Sequence, residues 1–306
     1  MSVGRLEGAG QGPEIALHTA DDLGPEPRPQ GPRRGLRARA GRAGFFLTGW
    51  WALLLLFGLV AIFAPLIAPF DPVRADLTAR LLPPSGTHLF GTDQNGMDVF
   101  SRVLWATRTD FTIAFVGVAI SLAVGVPLGA ASGYLGGWLD EGLNRFAEII
   151  QSIPLFLFAL MVFAAMGNNR TVLIGIVGFV NAPIFFKLTR AVVLPMKSLD
   201  YIAAATCAGL RAPAIIVRHV LPNALGPVAS QLSISCAYAL QIVAGLSFLG
   251  LGVPVPEPEW GSMIQQGAGR IVDGDWWISV FPGFAVLLAV MAFGGIGRQL
   301  ARAYDH

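Results

Sequence analysis

Hydrolysis of ATP by a phosphate-cradling loop needs a run of glycines followed by Lys and then Ser or Thr, the ammonium neutralising phosphate charge. This chain has two lysines, Lys187 in Phe185-Phe186-Lys187-Leu188 and Lys197 in Pro195-Met196-Lys197-Ser198, and neither has those glycines. If ATP drives this protein, another chain must bind it. Hydrolytic chemistry fares no better, because the sequence holds no His-Glu-x-x-His, no Gly-x-Ser-x-Gly and no close Ser/His or Asp/Asp arrangement. Cys207 and Cys236 fit no metal or redox spacing and read as small packing residues. No catalytic residue and no metal site is expected, and the chain does not read as an enzyme.

The elements that would position any remaining chemistry are apolar. Of the 306 residues, 54% are hydrophobic and only 13% charged, far from the usual globular balance. The apolar residues gather in six stretches, Phe45 to Ile67, Phe111 to Tyr134, Leu143 to Met166, Val172 to Val193, Ala224 to Phe248 and Ile278 to Ile296. Each holds about 20 residues or more, which at ~1.5 Å per residue covers a hydrocarbon layer roughly 30 Å thick. An all-α membrane protein of six transmembrane helices is the expected fold class. Coupling to a proton or sodium gradient usually leaves Asp, Glu or His deep in a span. The middles of these stretches hold none, and Glu148, the nearest, stands three residues after Arg145, where an ion pair accounts for it.

Fifteen of the 21 Lys and Arg fall on one side if the spans alternate, including Arg28, Arg33, Arg34, Arg37, Lys187, Arg190, Lys197, Arg211 and Arg218. The positive-inside bias then places both termini in the cytoplasm and the chain in the cytoplasmic (inner) membrane. Residues 1–44, rich in Gly, Pro and Arg, read as a disordered cytoplasmic tail, residues 45–70 as the first span and residues 71–108 as an extracytoplasmic segment. Residues 109–298 read as a five-helix core, with a cytoplasmic loop over 194–223 and a cytoplasmic tail over 299–306. Within span two, Gly117, Gly125, Gly129 and Gly133 recur mostly every four residues, which suits close approach of another helix. Pro127, Pro154 and Pro183 are expected to mark kinks. Span five carries Gln231, Ser235 and Tyr238 on one face with Gln241 at its edge, and polar groups in lipid need partners, so this face should point inward.

The stretch Asp200-Tyr201-Ile202-Ala203-Ala204-Ala205-Thr206-Cys207-Ala208-Gly209-Leu210, with Ile215 to Asn223 around Leu221-Pro222, resembles the inner loop of ABC importer permeases. In that family the loop reads Glu-Ala-Ala, a Gly four residues on and a Leu-Pro a dozen residues later. The resemblance implies a short helix that seats in a cleft of a separate ATPase, with small residues for close approach and Gly209 ending the helix. Ala203 stands where the family has Glu. His88 to Arg102, with Met97 where Arg is usual, Gly133 to Glu141, Arg145 to Glu148, Ser247 to Val253 and Pro258 to Gly261 are similar to the dipeptide/oligopeptide type, in particular its second (C-type) permease subunit.

The resemblance implies a type I ABC importer permease fold, a related permease as partner, two ATPase subunits that hold ATP and Mg, and an extracytoplasmic substrate-binding protein. This chain itself would carry no cofactor. Peptides are the cargo implied, with nickel complexes or oligosaccharides moved by the same machinery as alternatives; a secondary transporter or channel is the competing class. Gln231, Ser235, Tyr238 and Gln241 either line the translocation path or join helices. The turn with Gly91, Thr92, Asp93, Gly96 and Asp98 either meets a partner or packs on its own chain through Asx turns.

Overall fold

Glycines in one helix lie against the backbone of another along the centre of the molecule. The computed structural model describes the backbone of residues 35–304 and the side chains of residues 49–303. Helices α2 (Val99–Leu135) and α5 (Arg170–Met196) run parallel in close register. A Cβ on Gly117 would stand 2.5 Å from Val177, one on Gly125 2.5 Å from the Ala182 carbonyl, one on Gly129 2.4 Å from the Phe186 carbonyl, and one on Gly133 3.0 Å from the Arg190 carbonyl. Ser121 sits between them and donates across the seam to the Gly178 carbonyl at 2.9 Å. Lipid gives helices no hydrophobic reason to associate, so contact this close is what holds such a pair.

Two parallel helices must be joined by a return across the membrane. The chain makes that return with α3 (Gly137–Ser152) and α4 (Leu155–Met166), bent by 87° at the break between them. The expected third span, Leu143 to Met166, is thus two helices. Pro154 explains the break: it has no N–H to offer, and it holds Ile153 extended at φ −79°, ψ 125°. Pro127 and Pro183 lie inside helices that continue past them. Among the described residues, five helices are long and apolar enough to cross a membrane, or six with the bent pair counted as one.

The remaining helices complete the bundle. Helix α1 (Gly35–Ile67) ends three residues before the expected boundary at 70; few of its side chains beyond Gly49 are buried, and Phe57 anchors it through rings on Phe111 and Trp260. A short helix α6 (Asp200–Cys207) follows α5, and α7 (Ala212–Ile215), one π turn (Ile216–Val220) and α8 (Leu221–Phe248) form one continuous span. After α9 (Trp260–Ala268), α10 (Trp277–Tyr304) packs antiparallel on α8, where Ser233 donates to the Phe293 carbonyl at 2.7 Å and Gly297 faces Ile234.

Several boundaries differ from expectation. Residues 99–108 belong to α2 and not to a loop, because Asp98 caps that helix by accepting the Ser101 N–H at 2.8 Å; Arg102, Arg108 and Asp110 mask the start in any hydropathy reading. The second half of the 194–223 loop is already helix. Helix α8 starts at Leu221 with Pro222 in its first turn, and the π turn just before it keeps the chain continuous, the Leu221 N–H donating to the Ile216 carbonyl five residues back. Helix α10 continues through the residues expected as a tail from 299. The expected amino-terminal tail lies outside the described residues except for 35–44, which belong to α1.

The seam yields a direct test. Replacing Gly129 by Ala forces a methyl into the Phe186 carbonyl and should cost about 1–3 kcal/mol, whereas Gly175→Ala, with nothing within 4 Å, should be neutral. Thermal unfolding of the two variants in the same detergent checks this, and equal midpoints would contradict it.

Candidate functional site

Helix α6 is held to the bundle by one narrow face. Ile202 and Ala205 are buried with Ala130 of α2, Val193 of α5, Ile215 of α7 and Val220 of the π turn, forming an apolar cluster separate from the main core. Leu210 and Leu221 pack against its edge. The rest of the helix is outward: Asp200, Tyr201, Ala203, Ala204, Thr206 and Cys207 are exposed. Of the loop residues singled out in sequence, therefore, Ala205 faces the bundle, Leu210 and Leu221 are half-buried, and Asp200, Tyr201, Ala203, Ala204, Gly209 and Pro222 face out.

Gly209 ends α6 in the left-handed region, at φ +79°. Its N–H donates to the Thr206 carbonyl at 3.0 Å, and the Leu210 N–H reaches back to the Ala205 carbonyl at 3.2 Å. These paired bonds close the helix and turn the chain toward α7, and they need a residue tolerant of positive φ. Without that closure an eight-residue helix is too short to hold itself.

The same end of the bundle carries a polar clasp that sequence reading did not single out. Asp140, in the first turn of α3, accepts Arg190 Nε at 2.5 Å and Nη2 at 2.7 Å, a bidentate pair. Ser132 of α2 and Asn144 of α3 also donate to Asp140. Asp140 and Arg190 are distant in sequence, and each taken alone reads as an ordinary flanking charge. Arg145 and Glu148 form the expected i, i+3 pair at 3.2 Å, largely in the open.

The four polar residues expected on one face of α8 differ in exposure. Tyr238 and Gln241 are exposed and Gln231 is half-buried, in a strip with Ile234 and Phe248. Ser235 is buried and turned into the bundle, 3.3 Å from Gln231 Nε2. Tyr238 borders a cavity of about 390 Å³ that is also lined by Gln151, Pro154, Phe158 and Phe179, so it lies at the α3–α4 elbow.

At the opposite end, the turn from Gly91 to Asp98 is packed on its own chain. Thr92, Asp93 and Asp98 are all buried. Asp93 Oδ1 accepts the Asn95 and Met97 N–H groups at 2.8 and 2.9 Å, as an Asx turn does, and Asp98 Oδ1 lies 2.9 Å from His88 Nδ1. The turn needs glycine at 96, where φ is +74° and a Cβ would fall 1.7 Å from the Asp76 carbonyl. Arg102, fully buried, pins the knot to the rest of the chain through the Pro72 carbonyl at 2.8 Å and the Pro256 carbonyl at 3.1 Å.

Two carboxyl groups meet beneath α9. Asp110 Oδ2 accepts the Trp260 N–H at 3.1 Å, and Glu259 accepts the Gly261 and Ser262 N–H groups, both at 2.7 Å, so the first amides of α9 are satisfied. Burial pushes the Glu259 carboxyl above its ordinary range. Asp110 escaped notice because span two was expected to begin one residue later, at Phe111. Among the described residues no group of three or more His, Cys, Asp and Glu could hold a metal ion.

If the Gly209 turn sets the length of α6, Gly209→Val should strain a left-handed residue by about 1–2 kcal/mol and strip hydrogen-exchange protection from α6. Gly209→Asn should retain most of it. Exchange measured by mass spectrometry distinguishes the two, and a Val variant as protected as the native chain would contradict the assignment.

Residues 125–306 match the family of binding-protein-dependent transport system inner membrane components. Residues 47–84 match the N-terminal transmembrane domain of oligopeptide transport permease C. Over 253 residues the chain is 35% identical to a dipeptide transport system permease protein of Alkalihalophilus pseudofirmus, covering 83% of both chains. It is 38% identical, also over 253 residues, to a probable D,D-dipeptide transport system permease protein of Escherichia coli, covering 83% of this chain and 85% of that one. With a di/tripeptide transport system permease protein of Pseudomonas aeruginosa the identity is 33% over 263 residues, 84% of this chain and 86% of the relative. The helical bundle, the outward-facing α6 and matches of this extent agree: the chain belongs to the binding-protein-dependent transport system inner membrane component family, as a multi-pass membrane permease subunit of the oligopeptide permease C kind.

Proposed function

We propose that this permease forms, with a related permease subunit, the membrane path of an ATP-driven importer of dipeptides and short oligopeptides. Two ATPase subunits hold ATP and Mg, and one of them docks on the exposed face of α6. A substrate-binding protein delivers cargo at the opposite end, near α9. This chain performs no chemistry of its own. It sits in the cytoplasmic membrane with both termini and α6 inside, a placement supported by the basic residues around α6 and before α1.

The observation that carries the reading is α6 itself. It turns its small residues Ala203 and Ala204 outward with Tyr201 and Cys207, while Ile202 and Ala205 are its buried anchors in the bundle. A helix that served only the fold would bury a wider face. The cargo class rests on relatives named for dipeptide and di/tripeptide transport. Gln231, Tyr238 and Gln241 form the polar strip available to a passing peptide, whose amides need hydrogen-bond partners once they leave water.

The two native cysteines make the docking testable. Cys207 is exposed on the outward face of α6, whereas Cys236 is buried in α8 and serves as an internal control. A membrane-impermeant maleimide should label Cys207 from the cytoplasmic side in membranes holding the permeases alone, and co-assembled ATPase should protect it. Labelling that is indifferent to the ATPase, or that occurs from outside intact cells, would contradict the docking surface. In the assembled transporter, Gly209→Val should cut uptake per ATP hydrolysed roughly tenfold, within the usual range for coupling between sites. Ala203→Glu, at an exposed position, should be tolerated.

A further inference from the structure

Helix α3 is lightly embedded: of its 16 residues only Ala147 is buried. Polar contacts at its two ends supplement this small apolar anchor. Near the start, Asp140 takes the bidentate contact from Arg190 and a further bond from Ser132 of α2. Near the end, Gln151 Oε1 accepts Lys187 Nζ at 2.5 Å. Lys187 and Arg190 are one turn apart on α5, so both clasps close on one short stretch of that helix. Helix α5 then runs to Met196, and only Lys197, Ser198 and Leu199 separate it from α6.

The far end of α3 is the elbow. Past Ser152 the chain bends by 87° into α4, and the cavity bordered by Tyr238 lies in that bend. One connected series of contacts therefore runs from the exposed face of α6, through its apolar cluster with Val193, along α5 to Arg190, across to α3 and so to the cavity. The guanidinium link suits such a task, because two parallel N–H···O bonds fix the angle between the helices as well as their distance.

We propose that Arg190 and Asp140 are positioning residues of the transport cycle, passing displacement of α6 and the end of α5 to α3, and through α3 to the elbow that shapes the path. This rests on the docking of ATPase at α6. The pair is partly exposed, with side chains 28% and 18% accessible, so its importance lies in geometry more than in stability.

The test uses the complete transporter in liposomes, with its ATPases and binding protein, and labelled L-alanyl-L-alanine as the probe. Asp140→Asn and Arg190→Ala should each lower uptake per ATP hydrolysed roughly tenfold, while ATPase co-purification and hydrolysis stimulated by the binding protein stay at the native level. The reversed pair, Asp140→Arg with Arg190→Asp, should recover a substantial part of the loss. Unchanged uptake per ATP in the single variants would overturn the proposal. So would parallel loss of uptake, hydrolysis and assembly, which marks a structural role, and so would a reversed pair no better than either single variant. A native transporter that hydrolyses no ATP with its partners refutes the docking reading itself, and that result needs no variant to be recognised.

Discussion

The close approach of α2 to α5 is the constraint on which the rest of the fold depends. Gly117, Gly125, Gly129 and Gly133 let the two backbones meet at distances no side chain would permit, and in lipid such packing replaces the hydrophobic drive available in water. Because the pair is parallel, the chain must cross back between them, which is the work of α3 and α4. Each functional feature hangs on this pair. The knot at Thr92 to Asp98 feeds α2, α6 extends from α5, and the cluster beneath α6 draws Ala130 and Val193 from the two helices.

Polar groups then fix what close packing leaves free. At one end Arg102 joins the segment after α1 to the loop before α9, and Asp110 with Glu259 satisfies the first amides of α9. At the other end the Asp140–Arg190 pair closes α3 on α5. Polar groups so placed lose solvation that their protein partners make good only in part. They accordingly mark joints where one orientation between elements has to be specified.

Much of this was legible in the sequence, for identifiable reasons. Long apolar runs declare themselves by length, so the spans were found, and glycines every four residues announced the seam. The Glu148–Arg145 pair followed from local spacing alone. Boundaries were harder, since Arg102, Arg108 and Asp110 disguise the first turns of α2, and a π turn joins α7 to α8 without a break. The Asp140–Arg190 clasp and the Asp110–Glu259 meeting were not legible, because each joins residues brought together only by the fold. Along the face assigned to Gln231, Ser235 and Tyr238 burial is uneven, with Ser235 buried and Tyr238 exposed.

Rigid attachment of α6 to the seam is the central claim, for a handle moves a door only if it is fixed to it. A spin-label distance between native Cys207 and a cysteine replacing the exposed Leu194 on α5 reads that attachment directly. Measured in the assembled transporter with and without a non-hydrolysable ATP analogue, the distance should stay the same. A shift between the two states would show α6 moving on its own and would contradict the account.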